Sequence, residues 1–179
     1  LYLNVLKQLD MAFFVGTSAH DAGIMQGDII SGLWNKHPEY DRNKDGKLQY
    51  IMFQGNSDNP EAIARTEYSV KRARELGINM SQLGGTYVCD WDENLARQAM
   101  ETAFAAYGDT VEFVISNNDS MALGAIAVLN AHGYNTGGKS DKFIPVVGVD
   151  AIKEAIEAIK KGVMSATVKQ DSQAMADAI

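Results

Sequence analysis

The chain has 179 residues, 46% of them apolar, and a formal charge of 16 − 23 = −7 at neutral pH. This suits one globular domain with a sizeable core and excludes a disordered chain, and the acidic balance argues against nucleic acid as the main partner. No apolar run reaches the roughly 18 residues of a membrane span, and no basic amphipathic stretch suggests a membrane surface. The single cysteine, Cys89, cannot form an internal disulfide and reads as a small buried residue. The chain starts at Leu1 rather than methionine and stops at Ile179 within a helical pattern, so both ends read as cut from a longer protein.

In chain order, Ala12 to Gly16 is a short apolar run. Residues 18–35 then carry Ala22, Met25, Ile29, Ile30 and Leu33 at helical spacing. Tyr50 to Phe53 reads as a strand. Pro60 suits a helix first turn after Asn59 as cap, and Gly77 ends that helix. Leu83 to Cys89 is a strand weakened by Gly84 and Gly85, followed by a helix over 92–106. Glu112 to Ser116 is a strand, Asp119 to His132 an alanine-rich helix, and Ile144 to Val149 a nearly continuous apolar strand. A helix over 151–160 closes at Gly162, and Met164 to Val168 is the last strand. Apolar strands alternating with helices predict an α/β fold, a three-layer doubly wound parallel sheet of about six strands and five helices.

The run Asp41-Arg42-Asn43-Lys44-Asp45-Gly46-Lys47-Leu48-Gln49 has oxygen-bearing side chains at its first, third, fifth and ninth positions and glycine at its sixth. That is the spacing of a calcium loop, in which alternate oxygens turn inward on a hard cation and glycine makes the central bend. The twelfth position, where a bidentate glutamate belongs, is Met52, whose thioether is no calcium ligand. Either this is a plain hydrophilic turn, or a distant acid completes the site.

In such sheets ligands bind at the carboxyl ends of the strands. There the chain offers Asn59, Glu61 and Arg65, then Asp90 and Trp91, then Asn117, Asn118 and Asp119, then Asp150, and lastly Gln170 and Asp171. Carboxylates, amides and a guanidinium pair with hydroxyls that both donate and accept, and an indole stacks on the C–H face of a pyranose, so the mixture suits a sugar. Each residue also has a plainer reading. Asn118, Asp119 and Asp150 fit helix caps, Trp91 fits partly buried core, and Arg65 fits a solvated or salt-bridged helix position.

These residues, with Phe14-Val15-Gly16-Thr17, Gly23-Ile24-Met25-Gln26-Gly27-Asp28, Ala64-Arg65-Thr66, Ile115 to Asp119 with Met121 to Ala125, and Val147-Gly148-Val149-Asp150-Ala151, carry a resemblance. The chain resembles the galactose/glucose-binding proteins of bacterial sugar ABC transporters, which are type I periplasmic binding proteins. The resemblance implies one lobe of a two-lobed clamp. Residues 1–17 correspond to the end of the first lobe and a first hinge strand, 18–166 to the sugar-binding lobe, and 167–179 to a second hinge strand and the start of a first-lobe helix. It also implies a structural calcium ion held by Asp41, Asn43, Asp45, the Lys47 carbonyl, Gln49 and a remote Glu112. For the sugar it implies Arg65, Asn118 and Asp150 as hydrogen-bonding residues and Trp91 as the stacking ring. Asn59, Glu61 and Gln170 stand where the family usually has histidine, aspartate and asparagine.

The implied partners are a monosaccharide, a membrane permease and, in some relatives, a chemoreceptor. The implied location is the periplasm or, as a lipoprotein, the cell surface. Nothing is catalysed in that family. The sequence itself has no Gly-x-Ser-x-Gly elbow and no phosphate-cradling glycine loop, and His20, His37 and His132 avoid the strand ends. The competing reading is the effector-binding core of a LacI-type repressor, which shares the fold but normally lacks the calcium loop.

Overall fold

Ser18 begins the first helix by accepting the Asp21 amide on its side chain, the standard way to satisfy a free helix N–H. That helix, α1 (Ala19–Lys36), opens the described part of the chain in this computed structural model, which describes residues 18–138 and 142–170. It is followed by β1 (Leu48–Gln54), α2 (Pro60–Glu75), β2 (Met80–Val88), α3 (Glu93–Tyr107), β3 (Phe113–Ser116), α4 (Asp119–Ala131), β4 (Val146–Val149), α5 (Lys153–Lys160) and β5 (Ala166–Val168). The strands form one sheet in the order β2-β1-β3-β4-β5, and every pairing is parallel.

Strand side chains alternate between the two faces of a sheet, and here both faces are apolar. Tyr50, Met52, Phe113, Ile115 and Val147 join Ile30, Val70 and Ala73 from α1 and α2 in one core. Ile51, Phe53, Val114 and Val146 join Met100, Phe104, Met121, Leu129 and Ala155 from α3, α4 and α5 in the other. The three-layer α/β architecture is therefore present, with five strands and five α-helices among the described residues. The expected strand at 12–16, and the first-lobe and helix assignments over 1–17 and 171–179, lie outside those residues.

Several boundaries differ from the sequence reading, each for a local reason. β2 begins at Met80 rather than Leu83. It absorbs Gly84 and Gly85 as an irregularity, since Tyr50 pairs with Gln82 but Met52 pairs with Thr86. β4 begins at Val146 rather than Ile144, because Pro145 has no N–H to give a ladder and the Ile144 N–H is taken by the Asn135 side chain at 2.8 Å. α5 begins at Lys153 rather than Ala151, because Asp150 and Ala151 have φ of 112° and 53°, outside the helical region. β5 begins at Ala166 rather than Met164, whose N–H turns back to the Ala158 carbonyl.

β1 continues outward to β2 on one side and, through β3, to β4 and β5 on the other. This reversal of direction makes a crevice at the carboxyl ends of β1 and β3.

Candidate ligand site at the strand ends

The crevice is built on Asn117, the residue after β3. Its N–H donates to the Phe53 carbonyl at 3.0 Å, its side-chain oxygen accepts the Gly55 N–H at 3.1 Å, and its amide nitrogen donates to the Thr66 hydroxyl at 3.0 Å. Asn117 thus ties the ends of β1 and β3 to α2. Its carbonyl accepts a hydrogen bond from Arg65 Nη1 at 2.7 Å.

Arg65 is 1% exposed. A buried cation is costly unless anions and acceptors surround it, and here they come from several elements. Glu61, one turn earlier on α2, accepts from Nη2. Asp150, beyond β4, has Oδ1 3.7 Å from Nη1. The Trp91 ring, beyond β2, lies with its centroid 5.5 Å from the guanidinium carbon, in cation–π range. Gln170, beyond β5, donates to Asp150. Burial raises the Asp150 carboxyl above its ordinary range, against the opposing pull of Gln170 and Arg65.

Trp91 is aimed by a tight turn in which Asp90 and Trp91 both have positive φ, 46° and 65°, and Asp92 N–H closes back on the Cys89 carbonyl at 2.8 Å. Its ring then covers Gly55, where an added Cβ would stand 2.3 Å from ring atoms. Cys89 itself is buried, and burial pushes its thiol up to about 11, so it is core rather than a nucleophile.

Asn59 and Asn118 occupy cap positions. Asn59 Oδ1 accepts the Glu61 and Ala62 amides at 2.7 and 3.2 Å, and Asn118 Oδ1 accepts the Met121 amide at 3.0 Å while its nitrogen donates to the Trp91 carbonyl at 3.3 Å. All seven sequence-expected ligand residues therefore sit at one edge of the sheet. Glu61, Trp91, Asp150 and Gln170 are partly exposed there, whereas Arg65, Asn59 and Asn118 are buried behind them.

The cap of α4 is Asn118 rather than Asp119. The Asp119 carboxylate, fully buried, instead accepts the Ile152 N–H at 3.0 Å and the Thr167 hydroxyl at 2.7 Å. Burial pushes its pKa up to about 6, against those hydrogen bonds. No spacing rule exposes this role, because both partners lie far along the chain.

At the opposite, amino-terminal edge of the sheet lies the calcium-like loop. Asp41 accepts the Asp45 and Gly46 amides at 3.1 and 3.0 Å, Asn43 accepts the Asp45 amide at 3.0 Å, and Asp45 accepts the Lys47 amide and the Gln49 side chain, both at 2.8 Å. Glu112 reaches this loop from just before β3, its two oxygens accepting the Arg42 and Gln49 amides at 2.8 and 3.1 Å. Burial raises its carboxyl above the usual range, partly offset by those amides. Gln49 Oε1 is buried with no hydrogen-bond partner among the described residues, a costly state for an acceptor. Among the described residues no three His, Cys, Asp or Glu side chains gather closely enough to hold an ion by themselves, so any cation here would need the mixed amide, carbonyl and carboxylate donors of the loop. A cleft of about 780 Å³ opens beside it, lined by Tyr40, Arg42, Glu112, Tyr134 and Phe143 among others. It lies at the far edge of the sheet from the Arg65 cluster.

Residues 4–179 match the family model of the periplasmic binding protein domain. The chain belongs to the periplasmic binding protein family. It is 35% identical over 172 residues to the D-galactose/methyl-galactoside binding periplasmic protein MglB of Haemophilus influenzae, covering 94% of this chain and 49% of that protein. It is also 35% identical over 178 residues to the D-xylose-binding periplasmic protein of the same organism, covering 98% and 48%. A solved ABC transporter solute binding protein from Bacillus halodurans with bound myo-inositol superposes with a TM-score of 0.77 at 26% identity, covering 98% of this chain and 55% of that one. This periplasmic binding protein chain thus spans about half the length of the curated relatives it matches.

Two outcomes test this geometry. Gly55→Ala will push the Trp91 ring off its seat, shifting Trp91 emission to longer wavelength in a Trp34→Phe background; unchanged emission would mean that the ring does not rest on residue 55. The second concerns Asp119. A folded-state pKa raised to about 6 means that the folded form holds the proton more tightly. The stability this gives is complete below about pH 4 and is lost as pH rises through about 6, up to ~3 kcal/mol. Denaturant titrations from pH 4 to 7 should show the parent losing stability relative to Asp119→Asn over that interval, and parallel curves would refute the raised pKa.

Proposed function

We propose that this chain supplies one lobe of the solute-binding component of a bacterial sugar ABC transporter, taking a monosaccharide of the galactose/glucose type and carrying a structural calcium ion. The observation that carries the reading is the Arg65 cluster: a buried guanidinium holds Glu61 and Asp150 at the crevice mouth, beneath the face of Trp91.

The binding chemistry follows from the donor inventory. Glu61 and Asp150 accept from sugar hydroxyls, the Gln170 amide both donates and accepts, and the indole covers an apolar C–H face. Arg65 aims both carboxylates, while Asn59 and Asn118 set how α2 and α4 enter the site. Glu61 and Gln170 are one methylene longer than the aspartate and asparagine usual in the resembling family, and Asn59 replaces a histidine. The preferred epimer is therefore set by these three positions. A second lobe would cover the open side, and sugar would shift the clamp toward its closed form. That form would dock a permease and, in the manner of some relatives, a chemoreceptor. The sugar leaves unchanged, in the periplasm or at the cell surface on a lipid-anchored protein. Like the curated relatives, named as binding proteins, this one acts without catalysis.

For calcium, the orphaned Gln49 oxygen and the amide-held Glu112 carboxylate fit a hard cation that takes oxygen ligands. Asp41, Asn43, Asp45, the Lys47 carbonyl, Gln49 and Glu112 would hold it. When bound, the ion supplies positive charge that offsets buried carboxylates and stabilises the folded lobe by mass action.

Two measurements decide these points. Asp150→Ala in the two-lobed protein should weaken sugar binding by about 100-fold or more in calorimetry, as losing a buried charged acceptor costs about 2–5 kcal/mol, without lowering the denaturation midpoint by a comparable amount. Parental affinity would move the sugar elsewhere. Glu112→Gln keeps shape and removes one charge, and should weaken calcium binding at least about tenfold; equal calcium affinity would remove Glu112 from the ligand set.

A further inference from the structure

We infer that Asp119 and Thr167 form a positioning clamp that fixes the Asp150 turn, and so sets the spacing between the ligand-facing groups at the ends of β3, β4 and β5. This rests on the proposed sugar site and names the parts that aim it.

Asp150 and Ala151 both lie at positive φ, 112° and 53°. Neither is glycine, so this conformation is strained and persists only where the surroundings hold it. The surroundings do so with one hydroxyl and one carboxylate. Thr167 Oγ1 accepts the Ala151 N–H at 3.1 Å and donates its own proton to Asp119 Oδ1 at 2.7 Å. Asp119 Oδ2 accepts the Ile152 N–H at 3.0 Å. The two successive amides that follow Asp150 are therefore both held from one pair, a fully buried carboxylate and a half-buried hydroxyl. The arrangement needs space that only glycine leaves: a Cβ at Gly148 would stand 2.2 Å from Asp119 Oδ1.

The clamp joins three strand ends. Asp119 follows Asn118, whose side chain caps α4 and reaches the Trp91 carbonyl. Thr167 belongs to β5, and three residues later Gln170 bonds the Asp150 carboxylate. Asp150's own N–H donates to the Val168 carbonyl at 2.8 Å, the two amides that follow it are held by the Asp119–Thr167 pair, and its side chain is held by Gln170 and Arg65. Thr167 is the informative position because its hydroxyl accepts and donates at once, which serine reproduces and valine does not.

The test uses the two-lobed protein and compares Thr167→Val, Thr167→Ser and Asp119→Asn with the parent. Thr167→Val keeps the side-chain shape but loses the relay. Asp119→Asn leaves one acceptor oxygen where two are used, so the Ile152 N–H and the Thr167 O–H can no longer both donate to residue 119. Amide hydrogen exchange at Ala151 and Ile152 should accelerate at least about tenfold in Thr167→Val and in Asp119→Asn while core amides of β1 and β3 keep parental rates, and galactose or glucose affinity should fall by about tenfold or more. Thr167→Ser should restore both readouts to within about threefold of the parent. Should Thr167→Val not fold, the Asp119→Asn and Thr167→Ser pair decides. Parental exchange at Ala151 and Ile152 in the variants overturns the clamp, whatever the sugar does. Accelerated exchange with parental sugar affinity overturns its positioning role, provided that Asp150→Ala has lost binding. If Asp150→Ala still binds sugar, the proposed ligand site fails instead.

Discussion

The buried guanidinium of Arg65 is the interaction on which the strand-end architecture depends. A cation that is 1% exposed demands compensation from whatever surrounds it, and the compensation comes from the ends of separate strands: the Asn117 carbonyl after β3, Asp150 after β4 and the Trp91 face after β2, with Glu61 from its own helix. Among the described residues the guanidinium Nε has no partner, so the fork is used mainly at its two terminal nitrogens. Removing the arginine would leave Glu61 and Asp150 facing each other without the charge between them. Glu61 would then add to the upward push that burial chiefly gives the Asp150 carboxyl.

The sheet separates two kinds of polar work. At its carboxyl edge, charge is gathered around an open crevice. At its amino edge, the loop of residues 41–49 is stitched to Glu112 through backbone amides, and the same stretch of chain, Gln49 to Glu112, is joined again by the Glu112 N–H on the Gln49 carbonyl at 2.9 Å. β1 and β3 are thereby pinned at both ends, by Glu112 at one and Asn117 at the other. They are the two strands between which the crevice opens, so this double pinning gives the crevice a rigid floor.

How much of this the sequence disclosed follows from which interactions are local. Helix existence and type were legible because apolar spacing and caps act within a few residues: Asn59 caps before Pro60 as its neighbours suggest. Element starts were less legible, because the Asn135 side chain before β4 and the left-handed Asp150–Ala151 pair before α5 intercept the backbone where the pattern alone continues an element. The strand-end rule placed these residues at one edge, yet gave no depth. Arg65 on a helix reads as solvated or salt-bridged; the ion pairs are present, and only the tertiary structure shows the guanidinium enclosed behind Glu61 and Asp150. Asp119 illustrates the same limit more sharply. An acid at a helix start has an obvious local use, and nothing near it in sequence announces bonds to residues 152 and 167. The remote carboxylate of the calcium-like loop came from the family resemblance, since the loop's own twelfth position is Met52.

The exposure of the crevice carboxylates bears on how strongly this wall alone can hold a ligand. Glu61 and Asp150 keep side-chain exposures of 24% and 26%, so a hydroxyl that bonds them from one side only exchanges one set of water hydrogen bonds for another, with a net gain of about 1 kcal/mol each. Enclosure changes that balance. When a second wall excludes water, the same charge-assisted bonds act in a lower dielectric, and the cost of leaving any of them unmade rises with it. On the proposed function, affinity therefore resides less in this wall's contacts than in the closure they make possible. A rigid Arg65 cluster is suited to that task, because groups already ordered before closure lose little further freedom on binding.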